Sequence, residues 1–165
     1  NKSLYIGENI TISEHMIQTA MLAEKASCVD ELICSCLLHD YGHFILEDPN
    51  ELVKLNLDGQ HENIGYKYLK NFFKKEIVEP IKYHVIAKRY LAKDKKYYDL
   101  LSSASKTSLK LQGGVLNDEE CSKFETQKYF KHSILLRKFD EAAKRTNIRM
   151  KSINDYQMLL TSQLS

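Results

Sequence analysis

The 165-residue sequence carries 24 Lys and Arg against 22 Asp and Glu, a formal charge of +2, with 43% hydrophobic residues, four cysteines and six histidines. This length fits one compact domain, here taken as residues 1–165, with a substantial core. The interspersed charge argues against a nucleic-acid-binding face, and no apolar run of about 18 residues or charged-then-apolar leader argues for a membrane span or signal peptide. A cytoplasmic location is expected, and because the sequence opens at Asn1 and not at a methionine, further residues are expected to precede it. Cys28, Cys34, Cys36 and Cys121 form no C-x-x-C pair and are expected to be reduced, partly buried thiols.

Thr11-Ile12-Ser13-Glu14 reads as a capping box that opens a helix to about residue 26, with His15 in its first turn. Asp30 is expected to cap a second helix. Its apolar positions Leu32, Ile33, Cys36 and Leu37 recur at helical spacing before His39 and Asp40 arrive at its C-terminal part. Residues 44–60 contain Pro49, Asn50, Asp58 and Gly59 and read as a connection able to fold over a pocket mouth. A helix is expected over 60–73, with lysines 67, 70, 74 and 75 on a solvated face. Pro80 predicts a short turn ending near Val78 and a fresh helix with Pro80 at its first position, carrying His84 and Lys88 one turn apart on one face.

Ser102 is expected to cap a helix to about residue 111, stopped by Gly113-Gly114, on which Ser105, Ser108 and Gln112 make a polar stripe. Asn117 and Glu120 suggest another capped helix. Residues 126–145 read as a long helix with Phe130, Ile134, Leu135 and Ala142 inward and Asp140 on its final turns. A last amphipathic helix is expected over 152–164. No strand, repeat or low-complexity segment stands out, so the class is all-α, a single helical bundle.

Five of the six histidines, His15, His39, His43, His61 and His84, stand out with two aspartates, Asp40 and Asp140, along these elements. Imidazole suits iron, zinc, copper and nickel, and a carboxylate can bridge two ions, so a mixed His/Asp set favours first-row transition metals. Neighbours on a helix point about 100° apart, so His39 and Asp40 cannot share one direction. Asp40 is instead suited to bridging, with His15 and Asp140 completing one ion and His61 and His84 the other. Taken singly, a histidine on an apolar face is more often a hydrogen-bonded core residue, which is the reading kept for His132. Asp140 has the alternative of pairing with Lys144 at i, i+4.

The run Leu37-Leu38-His39-Asp40-Tyr41-Gly42-His43 resembles the signature of the HD-domain superfamily. Tyr5-Ile6-Gly7-Glu8, His61-Glu62-Asn63-Ile64-Gly65, His84 through Tyr90 and Leu101 through Gly114 narrow the resemblance to one branch. That branch comprises the mixed-valent diiron oxygenases that cleave the carbon–phosphorus bond of 2-amino-1-hydroxyethylphosphonate, relatives of myo-inositol oxygenase. The resemblance spans residues 4–144. It implies a dinuclear site of two iron ions, Fe2+ and Fe3+, held in the bundle core by His15, His39, Asp40, His61, His84 and Asp140, with Asp40 bridging. It also implies that Tyr5 and Glu8 form a lid, in which the glutamate receives the substrate's amine. For Tyr5 the alternative is a hydrophobic staple before the first helix.

The same resemblance assigns His43, Lys88, Ser105 and Gln112 to substrate contacts, and a phosphonate dianion does need several donors, preferably one of them cationic. For Lys88 the alternative is an ordinary solvated lysine. The implied partners are a small organophosphonate and dioxygen, the implied products glycine and phosphate. The competing activity is a metal-dependent phosphohydrolase, in which metal-bound hydroxide attacks a phosphate ester. Glu8 can also attract a trimethylammonium group, by charge alone, but the matches around His43 and Lys88 favour the primary amine.

Overall fold

The computed structural model describes residues 9–46 and 60–165, and among these all regular structure is helical apart from isolated bridge residues, including the pair Phe73 and Leu164. The α-helices are α1 (Ile12–Lys25), α2 (Asp30–Leu38), α3 (His61–Leu69), α4 (Lys75–Leu91), α5 (Lys95–Leu100), α6 (Ser103–Leu111), α7 (Asp118–Glu125), α8 (Phe130–Ala142) and α9 (Gln157–Ser162). Short 3-10 turns cover Tyr41–Phe44 and Ile153–Tyr156. The expected connection over 44–60 falls largely outside the described residues, as do Tyr5 and Glu8.

Helix α1 begins with the full capping box: the Thr11 hydroxyl accepts from Glu14 N–H, and the Glu14 carboxylate accepts from Thr11 N–H at 2.7 Å. The second helix differs from expectation at both ends. Val29 is its N-cap and Asp30 its first helical residue, where the carboxylate favours the positive end of the helix without capping it. At the other end α2 stops at Leu38, so His39 is the C-cap and Asp40, at φ −99° and ψ 13°, leads into the 3-10 turn. The pair is therefore seated just beyond the buried helix.

Two apolar clusters meet at α2. One joins Ile17, Ala20 and Ala23 of α1 to Leu32, Ile33, Cys36 and Leu37, with Leu136 of α8 and Tyr156 closing it. The other joins Cys34 and Leu38 to Leu69, Ile77, Val78 and Ile81. Helix α4 packs against α2, α3 and most extensively α8. It runs unbroken through Pro80, against the expected restart there. A proline inside a helix costs about 3 kcal/mol, whereas fully burying each of Ile77, Val78 and Ile81, at most 1% exposed, contributes about 1.5–3 kcal/mol. Packing wins, and His84 and Lys88 inherit their register from the same helix.

Three further elements differ from expectation, α8 among them, which runs Phe130–Ala142 and not over 126–145. Helix α3 ends at Leu69 and not near 73, because Phe73 turns to pair with Leu164. On α8 the buried face is Ser133, Leu136, Arg137 and Asp140, while Leu135 is 39% exposed and Ala142 is exposed. The inner side of α8 near its C-terminus is polar, which an apolar periodicity cannot reveal. The last segment splits into a 3-10 turn and a short helix. The remaining caps lie where expected: Ser102 accepts from Ser105 N–H, and Asn117 and Glu120 form a capping box. All four cysteines are free thiols, lysines 67, 70, 74 and 75 are exposed, and no described helix is long and apolar enough to cross a membrane.

One backbone crossing fixes the entry to α3. A Cβ on Gly42 would lie 1.9 Å from the carbonyl oxygen of His61 and 3.0 Å from Gly65 N. Only glycine permits this approach. Gly42→Ala is expected to cost about 1–3 kcal/mol through forced separation of the two segments, a fall of roughly 2–12 °C in a thermal melt, with His61 displaced. A variant melting with the parent protein would show that this crossing yields freely.

Candidate metal centre

Six residues from five elements converge in the core. His15 comes from α1, His39 and Asp40 from the end of α2, His61 from the start of α3, His84 from α4 and Asp140 from α8. All are buried, His15 and His39 completely. They form two groups whose ligating atoms lie within 4.8 Å of one another: His15, His39 and Asp140 in one, Asp40, His61 and His84 in the other.

The imidazoles are oriented from behind. His39 Nδ1 lies 2.9 Å from the Cys36 carbonyl oxygen and His84 Nδ1 2.6 Å from that of Ile81, each one turn back on its own helix. His15 Nδ1 lies 2.9 Å from the Ala143 carbonyl at the end of α8. A carbonyl only accepts, so each Nδ1 carries the hydrogen and donates it, which leaves the Nε2 lone pair facing inward. Those inward nitrogens meet: His15 and His39 Nε2 are 3.2 Å apart, His61 and His84 Nε2 3.1 Å apart. Two lone pairs at that distance repel unless a proton or a metal ion stands between them.

The carboxylates supply the complementary charge. Asp40 Oδ2 lies 3.3 Å from His39 Nε2 and 3.6 Å from His15 Nε2, while Oδ1 lies 3.3 Å from His61 Nε2 and 3.6 Å from His84 Nε2. Asp140 Oδ1 lies 3.2 Å from His15 Nε2. Neither Asp40 Oδ2 nor Asp140 Oδ1 accepts a hydrogen bond among the described residues. Buried oxygens without donors are costly unless a metal satisfies them, so the donor set fits metal ions of the mixed N/O type.

Titration follows the same logic. Burial would depress His39, but the adjoining Asp40 carboxylate, reinforced by Asp140, outweighs it and raises the imidazole to about 9. Burial would likewise raise both carboxyls; the neighbouring imidazoles hold Asp40 well below the usual range, and Arg137 does the same for Asp140. Burial and then His61 and His39 hold His84 neutral. The site is an electrostatic well for cations.

Beside the six lie the residues assigned to substrate. The His43 ring stacks on His61 at 4.1 Å between centroids, and its Nε2 is 4.0 Å from Asp40 Oδ1; burial and the His61 charge push it down to about 3, so it is neutral. Lys88 is 4% exposed, and its Nζ donates to Ser108 Oγ at 2.8 Å. Burial, then repulsion from Arg137, lowers it to about 7. A solvated lysine would show neither feature. Ser105 is buried, and Gln112 Oε1 accepts no hydrogen bond among the described residues. Gly113 and Gly114 have φ of +96° and +72°, and Arg89 Nε donates to the Gly114 carbonyl at 2.9 Å, fixing the turn that holds Gln112. His132 belongs to neither ligand group.

Sequence reasoning missed Arg137 and Glu141. The buried Arg137 guanidinium donates to Asp140 Oδ2, to Glu141 Oε2 and, through Nε, to Tyr97 Oη at 2.9 Å. Their i, i+3 and i, i+4 spacing was visible, but such spacing is common on solvated helices. Lys144, the expected alternative partner of Asp140, pairs instead with Glu141 at 3.0 Å.

The family model of the HD domain matches residues 12–112. The chain is 43% identical over 145 residues to a [1-hydroxy-2-(trimethylamino)ethyl]phosphonate dioxygenase (glycine-betaine-forming) of Leisingera caerulea, covering 87% of this chain and 74% of that protein. It is 38% identical to a hydroxymethylphosphonate dioxygenase of Gimesia maris, covering 97% and 81%. An uncharacterised protein of Acanthamoeba polyphaga mimivirus is likewise 38% identical, covering 98% and 75%. With the match spanning most of the bundle and both named relatives dioxygenases, the chain belongs to the HD-domain family and, within it, to the phosphonate dioxygenases, which makes it an oxidoreductase.

Proposed function

We propose that this chain holds two iron ions, Fe2+ and Fe3+, and uses dioxygen to cleave the carbon–phosphorus bond of (R)-2-amino-1-hydroxyethylphosphonate, giving glycine and phosphate. The observation that carries the dinuclear reading is the division of Asp40: one oxygen faces the His15/His39/Asp140 group and the other the His61/His84 group. One carboxylate serving two ligand groups is what a bridged pair requires. When bound, the irons supply the activation of dioxygen and the oxidation of the carbon that bears the hydroxyl. The overall reaction balances without another reductant: both oxygen atoms are taken up, one into the glycine carboxylate and one into phosphate.

The protein's own residues bind, orient and shield. His15, His39 and His84 present fixed lone pairs because backbone carbonyls hold their Nδ1 hydrogens. Lys88, His43, Ser105 and Gln112 receive the phosphonate, with Lys88 giving charge and His43 and Gln112 neutral hydrogen bonds, while the Ser105 hydroxyl, whose one hydrogen goes to Glu141, lines the site. Lys88 is tethered to Ser108, which limits the freedom it loses on binding. By family resemblance Tyr5 and Glu8 close the pocket and Glu8 meets the amine.

The primary amine follows from the resemblance of the His43 and Lys88 stretches. A second reading, the trimethylated hydroxyphosphonate, is favoured by the 43% identical relative that acts on it. Iron-loaded protein offered each hydroxyphosphonate in air is expected to release glycine and phosphate from the primary amine, with one dioxygen consumed per phosphate. Glycine betaine from the methylated compound alone would select the second reading. Phosphate release from a phosphate ester under argon with manganese, with neither hydroxyphosphonate turned over in air, would replace both with hydrolysis.

A further inference from the structure

We propose that Glu141 is a positioning residue that sets the substrate-binding helix α6 against the metal ligand Asp140. The inference rests on the phosphonate reading above and deepens it.

Glu141 follows Asp140 on α8, and its side chain is 14% exposed. Both of its oxygens are fully engaged, from two directions. From α8 itself, Oε2 accepts from Arg137, whose other terminal nitrogen holds Asp140 Oδ2. Around the start of α6, Oε2 accepts from the Ser105 hydroxyl at 2.8 Å, and Oε1 accepts from the Ser102 backbone N–H at 3.2 Å. Lys144 completes the link, donating to Glu141 Oε1 at 3.0 Å, Ser105 Oγ at 2.8 Å and Ser102 Oγ at 3.1 Å.

One carboxylate thus collects four donors, two of them cationic, and joins the helix of a metal ligand to the helix that carries Ser105 and Ser108 and is capped by Ser102 and Gln112. Asp140 and Glu141 are bound to the same guanidinium, so a shift of α6 must break a charge-assisted hydrogen bond or drag Arg137 with it. Such a brace holds the anion-binding side chains at a set distance from the metals, where a displacement of about 1 Å is enough to spoil alignment. Glu141 itself touches neither metal nor substrate.

Glu141→Gln preserves shape but fails chemically, because its NH2 group must face donors whichever way the amide is turned. On iron-loaded protein without substrate turnover, methylphosphonate binding is measured by titration and iron per chain by metal analysis. The variant is expected to keep its iron and to bind methylphosphonate about tenfold more weakly, the loss of roughly one hydrogen bond to a charged group. Lys144→Met removes the arm to Ser102 and Ser105 while leaving Arg137 and Asp140 alone, and is expected to weaken binding severalfold with iron again retained. Unchanged methylphosphonate affinity in either variant overturns the proposal. Loss of iron from a folded Glu141→Gln protein overturns it too, since that outcome makes Glu141 a support of the metal alone. Failure of the parent protein to bind methylphosphonate strikes instead at the phosphonate reading itself.

Discussion

Asp40→Ala is expected to reduce bound iron from two ions per chain to one or none and to abolish turnover. The carboxylate is the one group shared between the two ligand sets, with Oδ2 at 3.3 Å from His39 Nε2 and Oδ1 at 3.3 Å from His61 Nε2. Removing it takes an oxygen from each set at once and deletes the negative charge that offsets two cations in a buried site. Asp40→Asn separates these effects. The amide keeps the shape and one acceptor oxygen, but its NH2 group, a donor only, must face one of the two imidazole pairs. That variant is expected to hold a single ion, on the side where the oxygen points, and to lose the magnetic coupling that marks an adjacent mixed-valent pair. Metal analysis with electron paramagnetic resonance reads both. Two coupled irons and measurable turnover in Asp40→Ala would refute the bridge.

The candidate ligand groups were legible because their chemistry is carried by rare residue types. Histidines at 15, 39, 61 and 84 with aspartates at 40 and 140, taken together and not singly, are costly to bury without a shared role, and local caps such as Thr11/Glu14 and Asn117/Glu120 gave the helix starts. What the sequence hid was tertiary. Pro80 signals a break by its own chemistry, and only the packing of Ile77, Val78 and Ile81 overrides it. Phe130 and Ile134 pack inward as the hydrophobic pattern has it, but Leu135 is an apolar residue facing out and Arg137 a charged residue facing in, so that pattern reads only part of the buried face of α8. Helix α2 ends before His39, which matters because Asp40 then leaves the helical register and faces both imidazole pairs. The Gly42 crossing depends on contact with His61, a residue 19 positions away. Each of these depends on what lies across the core, which spacing along one helix does not encode.

Arg137→Met is expected to destabilise the metal-free protein by about 3–5 kcal/mol, the usual cost of stranding one half of a buried ion pair, or roughly 6–20 °C in a melt of a chain this size. The Arg137 and Asp140 side chains are 4% and 2% exposed, so solvent cannot take over from the guanidinium. Burial would raise the Asp140 carboxyl, and Arg137 is the first of the groups that keep it ionised. Two opposing effects then decide what iron does to the variant. An iron ion on the free Asp140 oxygen restores part of the missing positive charge, which favours binding. Yet the ligand is no longer held from behind, a loss that typically costs about 10–100-fold in metal affinity, so the variant should bind iron more weakly and gain correspondingly less stability from it than the parent. The double variant Arg137→Met/Asp140→Asn separates stranding from lost packing: with no buried charge left on Asp140, it should recover a large part of the stability lost by the single change, while binding iron poorly. Measured by denaturant unfolding of the metal-free proteins, a double variant no more stable than Arg137→Met would mean that the arginine matters for its packing and its bonds to Tyr97 and Glu141, and not for the charge on the metal ligand.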